Sequence, residues 1–318
     1  MIRLAITLFP GFIALLILLS AKVQAADTIL TSMQATYSLA TALTRETPIE
    51  IINVPEDGRQ MSILRDYIAR RTGSLEGAFA TATAVISLTN VLPGDPLYRF
   101  ARDVNIRVVN IDAALPWSLN RAGVGLADLP VSNVDWGTDT NPINSIVAPY
   151  FWLSVSNSIR MADNIAHDLI KLFPDHINTI QTNLDNLKRS LLNMRNEYQG
   201  KLIEAGNDTV FALTGDFVYL TNDMGLYVDG YFIKQDIRWT EEDLVRLTGH
   251  LLERNIQVVL HKWEPSDAIQ NAIKAAGAIL VVLNSADPGI VENRLLVNDG
   301  LQKILRSNLE AISSALAR

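Results

Sequence analysis

Short runs of β-branched and apolar residues recur along the chain at 28–32, 49–54, 83–88 and 106–112, each followed by a polar or Gly/Pro-containing loop and then by amphipathic sequence. That alternation predicts βαβ units and a parallel sheet. The same rhythm returns at 209–214, 227–232, 256–261 and 278–284. The predicted fold class is therefore α/β, in two similar lobes. Each lobe is a roughly four-stranded parallel sheet with flanking helices, although no sequence repeat aligns one half with the other.

Between the halves, Ile177, Ile180, Leu184, Leu187, Leu191, Met194 and Tyr198 recur at alternating spacings of three and four, which makes one apolar stripe on a continuous helix. Pro174 suits a first-turn position, and Gly206 with Asn207 supplies a stop. A helix of about 30 residues would measure roughly 45 Å, long enough to bridge both lobes. Such a stiff connector favours small tilts of the lobes over wide closure. A further helix is predicted at 240–254, where Thr240 and Asp243 stand at capping-box spacing and Leu244, Leu247 and Leu251 form a stripe. The expected organisation is a leader at 1–25, a first lobe at 26–172, the connector helix at 173–204 and a second lobe at 205–318.

The leader is read as a cleaved signal peptide. Arg3 precedes an apolar run, and Val23-Gln24-Ala25 presents small residues at the spacing a signal peptidase reads. Pro10-Gly11 breaks the run, which falls short of the roughly 20 residues a membrane span needs. The mature chain is expected to begin at Ala26 and to be soluble in the periplasm, without stable membrane insertion.

Composition narrows the chemistry. With 318 residues, 48% hydrophobic and 19% charged, the chain can bury two ordinary cores. Its net charge of −7 provides no surplus of cations for phosphate neutralisation, so nucleic acid is not an expected partner. The lack of cysteine removes disulfides, thiolate metal sites, cysteine nucleophiles and a lipid-anchoring cysteine. Gly123-Val124-Gly125 and Gly215-Asp216 lack the Lys-Ser/Thr pair of a phosphate loop, and no Gly-x-Ser-x-Gly or His-Glu-x-x-His motif occurs. The chain reads as a non-enzyme. Asp135 to Asp139 reads as a polar interlobe loop.

Several segments carry a resemblance when taken in order. Val54-Pro55 follows the second strand. Pro149-Tyr150-Phe151-Trp152-Leu153 is followed by Asn157, then Met161-Ala162-Asp163-Asn164-Ile165-Ala166, then Phe173-Pro174 and the long helix. Phe217, Tyr219 and Gly225-Leu226 come next, and the last strand precedes Asp287-Pro288. In order and spacing these resemble the solute-binding receptors of ABC importers for zinc and manganese, the group called cluster A-I or cluster 9. The resemblance implies a receptor that holds a divalent cation between its lobes with three His, or two His and a Glu, plus an Asp, and presents it to a permease.

The resemblance assigns those four ligand positions to Met61, Tyr150, Thr214 and Asn284. None is a histidine or a carboxylate. A thioether, a phenol, a hydroxyl and an amide bring no formal negative charge, so a bare Zn²⁺ or Mn²⁺ would be poorly compensated there. Sitting at strand ends, these positions fall in the crevice where open parallel sheets bind ligands. Asp57, Arg59, Asp216 and His261 are further candidates for the same cleft. His261 ends a predicted strand, and with Asp57, Asp216 or Glu264 it would form a sparse His/carboxylate site. His167, His176 and His250 read as surface or partly packed residues. The expected function is a monomeric periplasmic receptor whose interlobe cleft binds a metal, a metal chelate or a small solute for an ABC permease. The alternative is an interaction or regulatory protein on the same scaffold that no longer binds cargo.

Overall fold

A computed structural model of the chain describes residues 27–118, 120–137 and 146–318. The expected leader lies outside the described residues.

The first half runs β1 (Thr28–Thr31), α1 (Gln34–Leu43), β2 (Glu50–Asn53), α2 (Met61–Thr81), β3 (Ala82–Ser87), α3 (Leu97–Val104), β4 (Val109–Asp112) and α4 (Val155–Leu172). Its strands form one parallel sheet in the order β2-β1-β3-β4. Central β1 is buried along its whole length, as a parallel strand covered by helices on both faces must be. β4 begins later than the apolar run at 106–112 suggests. Ile106 lies in the turn after α3 with 77% of its surface exposed, because pairing with β3 starts only at Val109.

The connector is α5 (Ile177–Ala205), 29 residues, preceded by a single 3₁₀ turn over Pro174–His176 and stopped at Gly206 with φ 66°. Its buried face comprises Ile180, Leu184, Leu187, Leu191, Met194, Tyr198 and Leu202, so the stripe is the packing surface from its second turn onward.

The second half runs β5 (Thr209–Ala212), α6 (Val218–Met224), β6 (Tyr227–Tyr231), α7 (Glu241–Glu253), β7 (Val258–His261), α8 (Asp267–Ala275) and β8 (Ile279–Val282). This sheet is also parallel, in the order β6-β5-β7-β8. A short hairpin of β9 (Val291–Glu292) and β10 (Leu295–Leu296) leads to the closing helix α9 (Gly300–Leu316). α7 opens with a complete capping box: the Asp243 N–H donates to Thr240 Oγ1, and the Thr240 N–H donates to the Asp243 carboxylate at 2.7 Å. No helix among the described residues is long and apolar enough to cross a membrane.

The halves share one core. Ile29, Val85 and Ile111 of the first sheet belong to the same buried cluster as Val258, Leu260 and Val281 of the second. The opposite face of the second sheet has a smaller cluster, in which Phe211, Leu213 and Phe232 pack against Leu247, Leu251, Ile269 and Ile273. α9 ties the halves together by packing on both α5 and α1. Lys201 of α5 pairs with Glu310 at 2.8 Å, and the Leu301 N–H donates to Ser38 Oγ of α1 at 3.1 Å. Buried Gln34 of α1 donates to the Val297 carbonyl and accepts from the Ile290 N–H. Gly289, at φ 104°, lies so close that a Cβ there would come within 2.6 Å of Gln34 Cβ, so only glycine fits.

Candidate functional site: the cleft between the two sheets

The parallel order sends the C-terminal ends of the strands from both sheets toward one crevice. A cavity of about 560 Å³ opens there. Its walls come from the segments after β1 (Met33), β2 (Gln60 to Leu64), β3 (Leu92 to Pro96), β7 (Lys262) and β8 (Asp287), together with Tyr150.

One end of this cavity is polar and built from both halves. Tyr150 stands just before a 3₁₀ turn, Phe151–Leu153, that leads into α4. Its ring packs edge-on against Trp152, with centroids 5.6 Å apart, and Trp152 Nε1 is fixed by the Ser285 carbonyl at 2.9 Å. Lys262, the first residue beyond β7, reaches across. Its Nζ donates to Tyr150 Oη at 2.7 Å and lies 2.9 Å from Asp216 Oδ2. Asp287 sits beside the Tyr150 hydroxyl and the ammonium, and it accepts from the Met61 N–H at 2.8 Å, at the start of α2.

Burial sets the protonation of this end. It raises the Tyr150 pKa, more than the neighbouring ammonium lowers it, so the phenol keeps its proton at neutral pH. Burial also raises Asp287, against the Met61 N–H and Lys262, which favour its carboxylate. For Lys262 burial works against the charge, but the hydrogen bonds to Tyr150 and Asp216 outweigh it and hold the pKa above the ordinary lysine value. The ammonium is therefore a fixed positive charge within the cleft.

The other end is mostly apolar, lined by Met33, Leu64, Leu92, Pro93 and Pro96. Asp95 lies there with its oxygens already engaged. It accepts from the Leu88 N–H at 2.9 Å, the Leu97 N–H at 3.2 Å and the Ser32 hydroxyl at 3.4 Å, while burial pushes its pKa up.

Of the four positions drawn from the resemblance, Met61 and Tyr150 line the cavity, and Thr214 and Asn284 do not. Thr214 is buried beyond β5 and receives the Asp216 N–H at 3.3 Å, which shapes the turn that carries Asp216. Asn284 is exposed; its side chain accepts the Ala286 N–H at 2.8 Å, and its backbone is held by Asn308. Asp57 and Arg59 pair with each other at 2.8 Å outside the cavity lining, with Arg59 over the Tyr67 ring. Asp216 reaches the site through Lys262. His261 is only 2% exposed and packs on Trp263, centroids 4.3 Å apart, with Nε2 4.0 Å from Asp236 Oδ1. Burial lowers its pKa against the pull of Asp236 and Asp216. His250 pairs with Asp229 at 2.7 Å on the far side of the second sheet, between the rings of Trp136 and Phe211.

Sequence reasoning passed over Lys262 and Asp287. A search for donors to a dication skips lysine, and Asp287 falls three residues beyond the position that the resemblance points to. The signal available was their place just past β7 and β8, where parallel sheets present ligand contacts. Among the described residues, no group of three or more His, Asp or Glu side chains is arranged to hold a metal ion.

Comparison with known proteins places this geometry in context. The family model described as zinc-uptake complex component A, periplasmic, matches residues 22–315. The zinc-binding protein AdcA of Streptococcus pyogenes serotype M1 is 22% identical over 173 residues, covering 53% of this chain and 33% of AdcA. The matched region thus spans about a third of the length of that curated relative. Among solved structures, an FpvC mutant from Pseudomonas aeruginosa superposes with a TM-score of 0.70 at 19% identity, over 91% of this chain and 98% of the other. FpvC in complex with Mn²⁺ gives 0.65 at 18% identity, over 92% and 98%. A Cd-bound periplasmic metal-binding protein from Candidatus Liberibacter asiaticus gives 0.64 at 15%, over 91% and 99%. At these identities the structures speak for the fold alone.

Proposed function

The chain belongs to the family of periplasmic zinc-uptake complex component A proteins, and on that premise we propose that it is the solute-capturing receptor of an ABC importer whose cleft takes a metal chelate or a small organic solute in place of a bare dication. It acts in the periplasm, as a monomer and without catalysis, and delivers its cargo to a permease. The observation that carries this reading is the Lys262 ammonium held between Tyr150 Oη and Asp216 inside the cleft.

Taken alone, that ammonium would repel a dication about 5 Å away by roughly 7 kcal/mol at an effective dielectric of about 20, a figure that the paired Asp216 carboxylate reduces in part. The imidazole and carboxylate set that normally offsets such a cost is not gathered among the described residues. A larger cargo meets a better match. The apolar wall from Met33 to Pro96 accepts an organic body, and Tyr150, Lys262 and Asp287 at the other end offer hydrogen-bonding partners that fix its orientation.

The test is calorimetry with ZnCl₂ and MnCl₂ on the purified protein, alongside thermal melts against a panel of metal chelates and small organic solutes. The expected result is no tight equivalent of either bare ion, and stabilisation by a member of the panel, about 2.7 kcal/mol at a hundredfold excess over Kd. One tight equivalent of Zn²⁺ or Mn²⁺ at neutral pH overturns the proposal. Silence toward every solute turns the reading to a cargo-free interaction protein.

A further inference from the structure

We propose that Lys262 is the specificity-determining residue of this cleft, a built-in cation that bridges the two halves at the point where Tyr150, Asp216 and Asp287 converge, and that its removal uncovers a site for a hard divalent cation. This rests on the receptor reading above and deepens it by naming what excludes the bare ion.

The bridge is made of side chains from both halves. Lys262 leaves β7 of the second sheet, whereas Tyr150 precedes α4, which packs on β4 of the first. Asp216 comes from the turn after β5, and Asp287 from the loop after β8, where it also crosses to the start of α2 through the Met61 N–H. The ammonium hydrogen-bonds Tyr150 Oη and the Asp216 carboxylate directly, and Asp287 lines the same cavity as Tyr150 and Lys262. These are oxygen donors drawn in from several segments and satisfied by one positive charge.

Lys262 and Asp216 are each mostly buried, with side chains 25% and 20% exposed. Without the ammonium, two carboxyl groups and a phenol would face a partly buried space with no counter-charge, and either a proton or a cation must then compensate them. The two carboxylates, with room for water beside them, suit hard ions such as Mn²⁺, and the protonated Tyr150 phenol adds no charge to them. The His261 ring packs on Trp263 with Nε2 toward Asp236, so the donors at the bridge are the oxygens that the ammonium holds.

The experiment measures Mn²⁺ and Zn²⁺ affinity by calorimetry in the full chain and in Lys262→Met, Lys262→Arg and Lys262→Met/Asp216→Asn. Lys262→Met is expected to bind one Mn²⁺ at least about tenfold more tightly than the unmodified protein, because a repelling unit charge has gone. Lys262→Arg, which keeps the charge, is expected to show no gain, and the added Asp216→Asn to cancel it. Lys262→Gln removes the charge but keeps a donor for Tyr150 and Asp216, and it gives the same comparison should Lys262→Met fail to fold. An affinity unchanged on removing the charge, a gain equally present in Lys262→Arg, or one that survives Asp216→Asn overturns the proposal. The readout is the ratio of variant to unmodified affinity. The receptor reading instead stands or falls on what the unmodified protein binds, so the two failures are distinguishable.

Discussion

In the first sheet β1 lies between β2 and β3, and in the second β5 lies between β6 and β7, with β4 and β8 completing the same order. The segments leaving the two sets of strands nevertheless carry opposite chemistry. After β1, β2 and β3 the cavity receives chiefly Met33, Met61, Leu92 and Pro93; after β7 and β8 it receives Lys262 and Asp287, with Asp216 behind them after β5. Identical topology fixes where a crevice opens, because parallel strands all end on one side. What the crevice can hold is set by a few residues at the strand ends, which the sheet itself does not constrain. Asp95, the carboxylate lining the first side, spends its oxygens within the first half on the Leu88 and Leu97 N–H groups and the Ser32 hydroxyl, whereas Lys262 on the second side meets Tyr150 across the gap.

The largest test of this comparison is in the centre of each sheet. Ile29→Ala on β1 and Phe211→Ala on β5, both fully buried, should each lower unfolding stability by about 3–4 kcal/mol in denaturant titrations. A loss below about 1 kcal/mol in either would break the structural equivalence of the two sheets. Next come the strand ends. Asp95→Ala strands the N–H groups of Leu88 and Leu97 and should cost about 2–3 kcal/mol. Lys262→Met removes a partly solvated pair and should cost about 1 kcal/mol, with its main effect on binding. The reverse ranking would mean that the second side is the structural one.

Helix caps sharpen the comparison at smaller scale. Ser154 accepts from the Asn157 N–H at the start of α4, and Thr240 caps α7, so Ser154→Ala and Thr240→Ala should each lose about 1 kcal/mol in thermal or chemical unfolding. The smallest effect is in pH dependence. Burial lowers the His261 pKa in the folded state, so below the ordinary histidine value of about 6.5 the unfolded chain binds more protons. The stability contribution is complete above that pH and is lost as pH falls toward the folded-state pKa. His261→Gln should flatten the stability profile below about pH 6.5, and an unchanged slope would show that the ring is solvated. His167 on α4, whose pKa burial also lowers, supplies the same sign of slope in the first half and remains in that variant.

Much of the fold was legible locally. The eight strands of the two parallel sheets, the stripe on α5 and the Thr240–Asp243 box rest on periodicity and neighbouring residues, which read the same in the chain as in the molecule. The seat of α9 was not legible. Leu301, Ile304, Leu305 and Leu309 repeat at helical spacing, but nothing in that repeat says that the helix crosses to α1 and closes over Gln34. The cleft was legible in part for the same reason. Met61 and Tyr150 could be placed beside strand ends, yet Lys262, which hydrogen-bonds the Tyr150 hydroxyl, lies 112 positions away in the chain.

The order of side chains by itself determined the alternation of strands and helices, the length of the connector and the shortage of metal-ligating groups at the positions drawn from the resemblance, because each depends on spacing or on residue type alone. Only the tertiary structure decided that Lys262 turns into the cleft and meets Tyr150 and Asp216, and that Asn284 and Thr214 serve their own turns instead. Those outcomes depend on which strand ends face one another across the two sheets, and a charge acts over a few ångströms of space whatever its distance along the chain.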